Sequence, residues 1–183
     1  MRRLVMWNMI TLDGYFEGAQ KWDLEFHNRG WGEELEQLST EQLSTADMLL
    51  FGRVTYEGMA QYWPNASGEP GEIAEFMNSI PKVVFSRTLS DAAWKNTRVA
   101  ADAESEVRRL KAEDGKDMYI FGSADLCASL EPLIDEYRIG LNPILLGQGT
   151  PLFKTKPRSQ NLKLLEARPL KTGCVILRYA PEP

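Results

Sequence analysis

The sequence predicts an α/β fold built on a mostly parallel sheet that ends in an antiparallel hairpin. Apolar strand-like runs alternate with helical patterns over residues 4–130, as in βα units that form a parallel sheet. From residue 136 onward the alternation stops and strand patterns follow one another. Lys171–Gly173 is a compact turn between the last two of these strands, which favours a hairpin.

Each element is predicted from its own apolar pattern. Helix 33–44 carries a stripe of Leu35, Leu38 and Leu43, whereas the strand-like runs are short, apolar and bounded by polar residues or glycine. The predicted strands are 4–9, 47–51, 82–85, 96–100, 118–121, 136–141, 162–168 and 174–179. The predicted helices are 33–44, 53–61, 73–79, 103–113 and 123–130, and segments 22–32 and 63–70 are predicted to be irregular.

Length and composition favour a single globular domain over residues 1–183. Hydrophobic residues make up 43% and charged residues 26% of the chain, which suffices for a substantial core. The net charge of -5 argues against a general nucleic-acid binder, although a local basic pocket is compatible with it. No apolar run has the roughly 20 residues of a membrane span, and the N-terminus fits a first strand better than a signal peptide. We therefore expect a cytoplasmic protein that binds a small-molecule substrate, with neither nucleic acid nor membrane as a partner.

The cysteines and the single histidine do not have the spacing of a metal site. Cys127 falls in a predicted helix and Cys174 in a predicted strand, and His27 lies in an irregular aromatic segment. Two buried free thiols are favoured over a disulfide. His27 is expected at the surface or at the rim of a cleft, with a catalytic role as the less favoured alternative.

The segment Leu49–Tyr56 predicts a strand that turns directly into a helix at Gly52. Arg53 and Thr55 then lie in the first turn of that helix, where unpaired backbone N–H groups and the helix dipole favour an anion. A guanidinium and a hydroxyl at this position suit a phosphate group. The alternative is an ordinary strand–helix turn with a solvated arginine.

A second junction repeats this arrangement at the end of strand 118–121. Gly122 permits close approach of the backbone to a ligand, and Ser123 is a natural N-cap, although a capped helix without a ligand has the same pattern. Open α/β sheets bind ligands at the carboxyl ends of their strands. Two phosphate-type sites at that edge suit a dinucleotide, although neither a G-x-G-x-x-G nor a P-loop pattern is present.

Seven motifs occur along the chain in a specific order and spacing. They are TLDG at 11–14, ADMLLFGRVTY at 46–56, YWP at 62–64, KVVFSRTL at 82–89, FGSADL at 121–126, IDEYR at 134–138 and NPILLGQG at 142–149. With these motifs the chain resembles the dihydrofolate reductase-like superfamily. More narrowly, the chain looks like the bacterial proteins grouped with the C-terminal reductase domain of the bifunctional riboflavin-biosynthesis deaminase/reductase.

The resemblance implies an open, mostly parallel eight-stranded sheet with helices on both faces and an NADPH cofactor. It assigns part of the cofactor's phosphates to Gly52, Arg53, Val54 and Thr55. It assigns the adenosine ribose and 2′-phosphate to Ser86, Arg87 and Thr88. It assigns the pyrophosphate and nicotinamide side to Phe121, Gly122, Ser123, Ala124, Asp125 and Leu126. The residues themselves support the second site, because an arginine between two hydroxyls suits a phosphate dianion, although a solvated polar loop has the same composition.

Candidate substrate residues are less well defined. Glu36 has about the spacing before Gly52 of the acidic residue that dihydrofolate reductase places on its first helix, although glutamates at a helix start are commonly solvated. Asp13 follows the first strand and either orients the substrate or caps the Asp-Gly turn. An aromatic set that includes Trp22, Phe26, Tyr56 and Trp63 either stacks on a flat heterocycle or belongs to the core.

Three functional hypotheses follow from these patterns. The first is an NADPH-dependent reductase of a small flat heterocycle, of the dihydropterin or riboflavin-pathway pyrimidine type. The second is a non-catalytic nucleotide-binding or redox-sensing module that retains the NADPH cleft. The third is a structural domain without a cofactor. A homodimer is a further expectation, because segment 142–147 and the terminal strands are apolar.

Overall fold

A computed structural model describes residues 2–66, 71–154 and 159–182. The strands are β1 Leu4–Thr11, β2 Tyr15–Glu17, β3 Ala46–Gly52, β4 Lys82–Phe85, β5 Thr97–Ala100, β6 Asp117–Phe121, β7 Glu136–Asn142, β8 Thr150–Pro151, β9 Leu162–Pro169 and β10 Val175–Pro181. The helices are α1 His27–Gly30, α2 Glu33–Ser44, α3 Arg53–Tyr62, α4 Gly71–Ser79, α5 Ala103–Lys111 and α6 Ala124–Leu130, with short 3₁₀ turns at Trp63–Asn65 and Glu131–Leu133.

Eight of the strands form one sheet in the order β5-β4-β3-β6-β1-β7-β10-β9. All neighbours from β5 to β7 run parallel, and β10 is antiparallel to both β7 and β9. Val175 lies opposite Pro169 across the predicted hairpin. The predicted fold class, a mostly parallel eight-stranded sheet with a C-terminal antiparallel hairpin, is confirmed.

The sheet is covered by helices on both faces because its central strands are apolar on both sides. Leu4 and Met6 of β1 point to a cluster that includes residues of α5 and α6, whereas Val5 and Trp7 point to a second cluster with residues of α2, α3 and α4. Because the side chains of a strand alternate between faces, one apolar strand contributes side chains to both hydrophobic clusters.

The strand order brings three chain turns to one edge of the sheet. β4, β3 and β6 are neighbours, and they end at Phe85, Gly52 and Phe121. Because these strands are parallel, the segments that follow them emerge side by side. The three segments that are suited to binding a phosphate are far apart in sequence, and they therefore become adjacent in the fold.

A few elements differ from the sequence prediction. The segment predicted as irregular, 22–32, contains the four-residue α1, and β2 pairs with β8 in a separate two-stranded sheet. Elements this short have no periodicity that a sequence pattern could reveal. Of the predicted loop 63–70, residues 67–70 lie outside the described ranges, and 63–65 form a 3₁₀ turn.

The two cysteines of the chain are separate thiols. Cys127 and Cys174 are buried and unbonded, as predicted. No group of three or more metal-ligating side chains occurs among residues 2–66, 71–154 and 159–182. None of the helices in these ranges is long and apolar enough to span a bilayer.

Candidate active site

A cavity of about 930 Å³ opens at the carboxyl edge of the sheet. The segments after β3, β4 and β6 all contribute to its wall, together with residues of α2, α4 and the aromatic segment 16–31. A cavity of this size is large enough for a ligand of cofactor dimensions. The three sites that were predicted separately thus line one continuous space.

The segment after β3 supplies an open helix start. Gly52 is the N-cap of α3 and offers no side-chain cap, so the first N–H groups of this ten-residue helix stay available to a ligand. Arg53 is exposed and its Nη1 donates to Glu57 Oε1 at 2.8 Å. Val54 and Thr55 also line the cavity.

The segment after β6 packs directly against this helix start. Gly122 has φ +59°, and its N–H donates to Asn8 Oδ1 at 3.1 Å. The Ser123 hydroxyl accepts the Leu126 N–H at 3.4 Å and so caps α6. A Cβ at Gly52 would lie 3.0 Å from Ser123 Oγ, so glycine keeps these two segments close together. All six residues of 121–126 line the cavity.

The segment after β4 forms a tight hydroxyl-capped turn. Ser86 Oγ accepts the backbone N–H groups of Thr88 at 3.1 Å and Leu89 at 2.9 Å. Ser86 and Arg87 line the cavity, whereas Thr88 is exposed and does not. The Arg87 guanidinium makes no hydrogen bond with any described residue, so its donors are available to a ligand.

The charge of the cavity wall differs from that of the whole chain. The protein has a net charge of -5, yet cationic side chains outnumber acidic ones along the cavity. The cations are Lys21, Arg53, Arg87 and Lys154, and the acidic residues are Glu17 and Asp125. Lys154 is paired with Asp125. The local field therefore favours an anionic ligand.

Beyond these segments lies an inner part of the cavity, here called the inner chamber. It lies between the sheet, the apolar side of α2, and α3 and α4. Its residues are Trp7, Leu35, Ser39, Gln42, Leu43, Met59, Trp63, Ile73 and Met77. A mainly apolar wall with a few polar groups is typical of a site for a small flat molecule.

The four predicted aromatic substrate residues are divided between the cavity and the core. Trp22 and Trp63 line the cavity. Tyr56 does not: α3 directs it toward the sheet, where its hydroxyl accepts the Trp94 N–H at 2.9 Å. Phe26 is buried against His27, with ring centroids 4.6 Å apart, and does not line the cavity either. The fold thus places both of these rings in the core and not on the cavity wall.

Neither predicted acidic residue lines the cavity. Asp13 accepts a hydrogen bond from Thr11 at 2.6 Å and from the Gly147 N–H at 2.8 Å, and these bonds lower the pKa of Asp13 to about 2. Asp13 therefore joins the turn after β1 to the exposed segment 146–147. Glu36 lies on α2, but the helix presents Leu35, Ser39 and Gln42 to the cavity instead.

Several polar cavity residues were not predicted from the sequence. They are Asn8, Ser39 and Gln42, together with His27, which was expected only at a surface or cleft rim. His27 Nε2 is buried without a hydrogen-bond partner in the described structure, and burial lowers the pKa of His27 to about 4. The helical spacing of Leu35, Ser39 and Gln42 was visible in the sequence and could have indicated one common face.

The fold is that of the dihydrofolate reductase-like class. Dihydrofolate reductase from Enterococcus faecalis, in a structure complexed with NADP(H) and RAB-propyl, has a TM-score of 0.66 at 14% identity and covers 99% of this chain and 97% of its own. A putative riboflavin biosynthesis protein from Shewanella sp. PV-4 has a TM-score of 0.78 at 20% identity, covering 99% of both chains. RibD from Acinetobacter baumannii has a TM-score of 0.70 at 18% identity, with 100% of this chain matching 59% of that protein.

Within this class, the chain belongs to the RibD C-terminal domain family, whose model matches residues 2–176. A curated relative, the uncharacterized protein YyaP of Bacillus subtilis, is 30% identical over 186 residues, which is 97% of this chain and 94% of that protein. The family and the structural neighbours support a reductase of the riboflavin-pathway type.

Proposed function

We propose that this protein is an NADPH-dependent reductase of a small flat heterocycle, either a dihydropterin or a pyrimidine of the riboflavin-pathway type. One observation carries the proposal. The segments after β3, β4 and β6, each suited to binding a phosphate, line one cavity, and this cavity includes the mainly apolar inner chamber. A nucleotide cofactor needs the first part, and a flat substrate held beside it needs the second.

The residues present fit NADPH. The uncapped start of α3 at Gly52 offers backbone N–H groups to a phosphate, and the surplus of cations extends along the wall. Arg87 lies in a separate turn, and its guanidinium makes no hydrogen bond to a described residue. It is our candidate for binding the 2′-phosphate. The Enterococcus dihydrofolate reductase structure, which is complexed with NADP(H), supports a cofactor of this kind for the fold.

When bound, NADPH would supply the hydride, and the chain would supply binding, orientation and exclusion of water. Trp22, Trp63 and Met59 would pack on the faces of a flat ring. The inner chamber has no carboxyl group among its lining residues, and burial keeps nearby His27 neutral at pH 7. We therefore assign proton delivery to water and not to an acidic side chain.

Calorimetric titration with NADPH and NADH tests the cofactor assignment. Wild-type protein should bind NADPH more tightly than NADH, and Arg87→Ala should reduce that preference about tenfold or more, since a guanidinium–phosphate contact is lost. Arg98→Ala is the matched control: Arg98 is also exposed and basic, but it pairs with Glu106 and does not line the cavity. An unchanged NADPH:NADH ratio in Arg87→Ala would contradict the assignment of Arg87.

The second candidate is a non-catalytic module that binds NADPH without turnover. It is favoured by the position of Asp13 and Glu36 outside the cavity wall. Steady oxidation of NADPH with a dihydropterin or a riboflavin-pathway pyrimidine would exclude it. A cytoplasmic homodimer stays an expectation, for which the exposed Leu164 and Leu165 of edge strand β9 offer apolar surface.

A further inference from the structure

The carboxamide of Gln42 has one orientation in this fold. Arg138 Nη1 donates to Gln42 Oε1 at 3.2 Å. A guanidinium carries only donors, so the atom of Gln42 that faces it must be the oxygen. The NH₂ group of Gln42 therefore points away from Arg138.

Arg138 is itself held in place. Its Nε donates to Glu136 Oε1 at 2.5 Å and its Nη1 to the Tyr119 hydroxyl at 2.7 Å. The guanidinium also lies 5.3 Å from the centre of the Tyr119 ring, and Arg138 is only 8% exposed. A buried and multiply bonded arginine keeps the carboxamide from flipping.

The NH₂ group of Gln42 is directed into the inner chamber. Gln42 lines the cavity although the residue is only 6% exposed. Its Nε2 makes no hydrogen bond to any described residue, and it is not among the fully buried polar atoms that lack a partner. It is therefore a free donor that is accessible from the cavity.

Ser39 adds an acceptor on the same side of α2. Residues three apart in a helix lie on one face, and both Ser39 and Gln42 line the cavity. Ser39 Oγ donates to the Leu35 carbonyl oxygen at 2.7 Å. Its proton is thus used within the helix, and its lone pairs stay available to a ligand N–H.

We propose that Gln42 determines substrate specificity by presenting a fixed donor to a ring carbonyl. A lactam edge fits, with its C=O accepting from Gln42 Nε2 and its N–H donating to Ser39 Oγ. A ring with an amino group in place of the carbonyl would put donor against donor. This inference rests on the proposed function in one respect, since it takes the inner chamber to be the substrate site.

Calorimetry with two matched rings tests the role of Gln42. Quinazolin-4(3H)-one carries the lactam edge, and 4-aminoquinazoline has an amino group in place of the carbonyl. Wild-type protein should prefer the lactam. Gln42→Glu keeps an oxygen on Arg138 but replaces the donor by an acceptor, so the affinity ratio should shift about tenfold or more toward 4-aminoquinazoline. Gln42→Met, which has neither group, should bind the lactam about tenfold more weakly.

The control variant is Gln37→Glu, which adds the same charge to an exposed position of α2 outside the cavity. The proposal is overturned if Gln42→Glu leaves the affinity ratio within twofold of wild type, or if Gln37→Glu shifts it equally. The cofactor titration is run separately on the same proteins. If NADPH does not bind but Gln42→Glu shifts the affinity ratio, the proposed function is rejected and the role of Gln42 is retained. If NADPH binds but the affinity ratio does not shift, the role of Gln42 is rejected and the proposed function is retained.

Discussion

His27 is a neutral imidazole in the cavity wall. Its Nε2 is buried and has no partner among the described residues, and its ring packs edge-on against Phe26. Burial lowers the pKa of His27 from 6.5 to about 4. The folded protein therefore binds a proton at this site less readily than the unfolded chain does.

This difference predicts a pH-dependent loss of stability. In the unfolded chain the pKa of His27 is about 6.5, so between pH 6.5 and 4 the unfolded state binds more protons. As the pH is lowered through this window, the free energy of unfolding should decrease by up to roughly 3 kcal/mol. Below the window it should level off. In His27→Gln, which does not titrate, this component should be absent when urea unfolding is measured from pH 7 to pH 4.

Nuclear magnetic resonance provides a direct control. His27 is the only histidine in the chain, so its imidazole signal needs no assignment by mutation. A titration midpoint near 6.5 in the folded protein would contradict the buried neutral state.

At the scale of elements, helix α3 contains a glycine, Gly58, where the ring of Trp22 packs against it. Trp22 adopts φ +65°, which is uncommon for a residue with a side chain, and its ring lies over Gly58. A Cβ at Gly58 would come 1.9 Å from Trp22 Cζ2. Glycine inside this helix thus allows the aromatic segment to close one side of the cavity.

A double-mutant cycle separates two effects of Gly58: its low helix propensity and the space that it leaves for the Trp22 ring. In a Trp22→Ala background, Gly58→Ala should stabilise the protein by about 0.5–1 kcal/mol, because alanine is the better helix former. With Trp22 in place, the same change should give no gain or a loss, since the ring must move. Thermal unfolding of the four proteins measures the coupling.

Gly71→Ala serves as the control for this cycle. A Cβ at Gly71, the first residue of α4, would meet nothing within 4 Å, so its effect should be the same with and without Trp22. Equal effects of Gly58→Ala in both backgrounds would show that Trp22 does not depend on this glycine.

At the scale of the whole molecule, one buried carboxylate connects β7, β10 and the residue that precedes β1. Glu136 of β7 is 2% exposed and accepts from Arg138 at 2.5 Å, from Arg178 of β10 at 2.7 Å and from Arg3 at 3.1 Å, just before β1. Burial by itself raises the pKa of Glu136, but the bonds from Arg178 and Arg138 outweigh it and hold the pKa below its ordinary value.

Removing this charge should destabilise the whole sheet. Glu136→Gln leaves the buried guanidinium of Arg138 without its carboxylate, and we expect a loss of about 3–5 kcal/mol in the free energy of unfolding. Glu166→Gln, which removes a more exposed partner of Arg178, should cost less than about 1 kcal/mol. The Glu136 contribution is fully present above the ordinary carboxyl pKa and is lost as the pH falls through the lowered one. Urea unfolding of both variants at pH 7 compares them, and equal losses would refute the special role of Glu136.

Much of the architecture could be predicted from local sequence. Helix 33–44 was predicted with its observed limits, and the strand before Gly52 was predicted to within one residue at each end. The apolar runs, the glycine at 52 and the turn at 171–173 act over a few residues, so a single sequence contains their signal. The cofactor residues stay predictions, although the fold brings 52–55, 86–87 and 121–126 to one cavity.

The sequence by itself determined the order of strands and helices, the parallel sheet with its terminal hairpin, and the polar segments at its carboxyl edge. Only the tertiary structure decided which side chains of those segments face a common space. It placed Tyr56 in the core, Asp13 between two surface segments and Gln42 in the inner chamber. The physical reason is that the direction of a side chain depends on packing between elements distant in sequence, such as Arg138 of β7 against Gln42 of α2, and no local pattern encodes that contact.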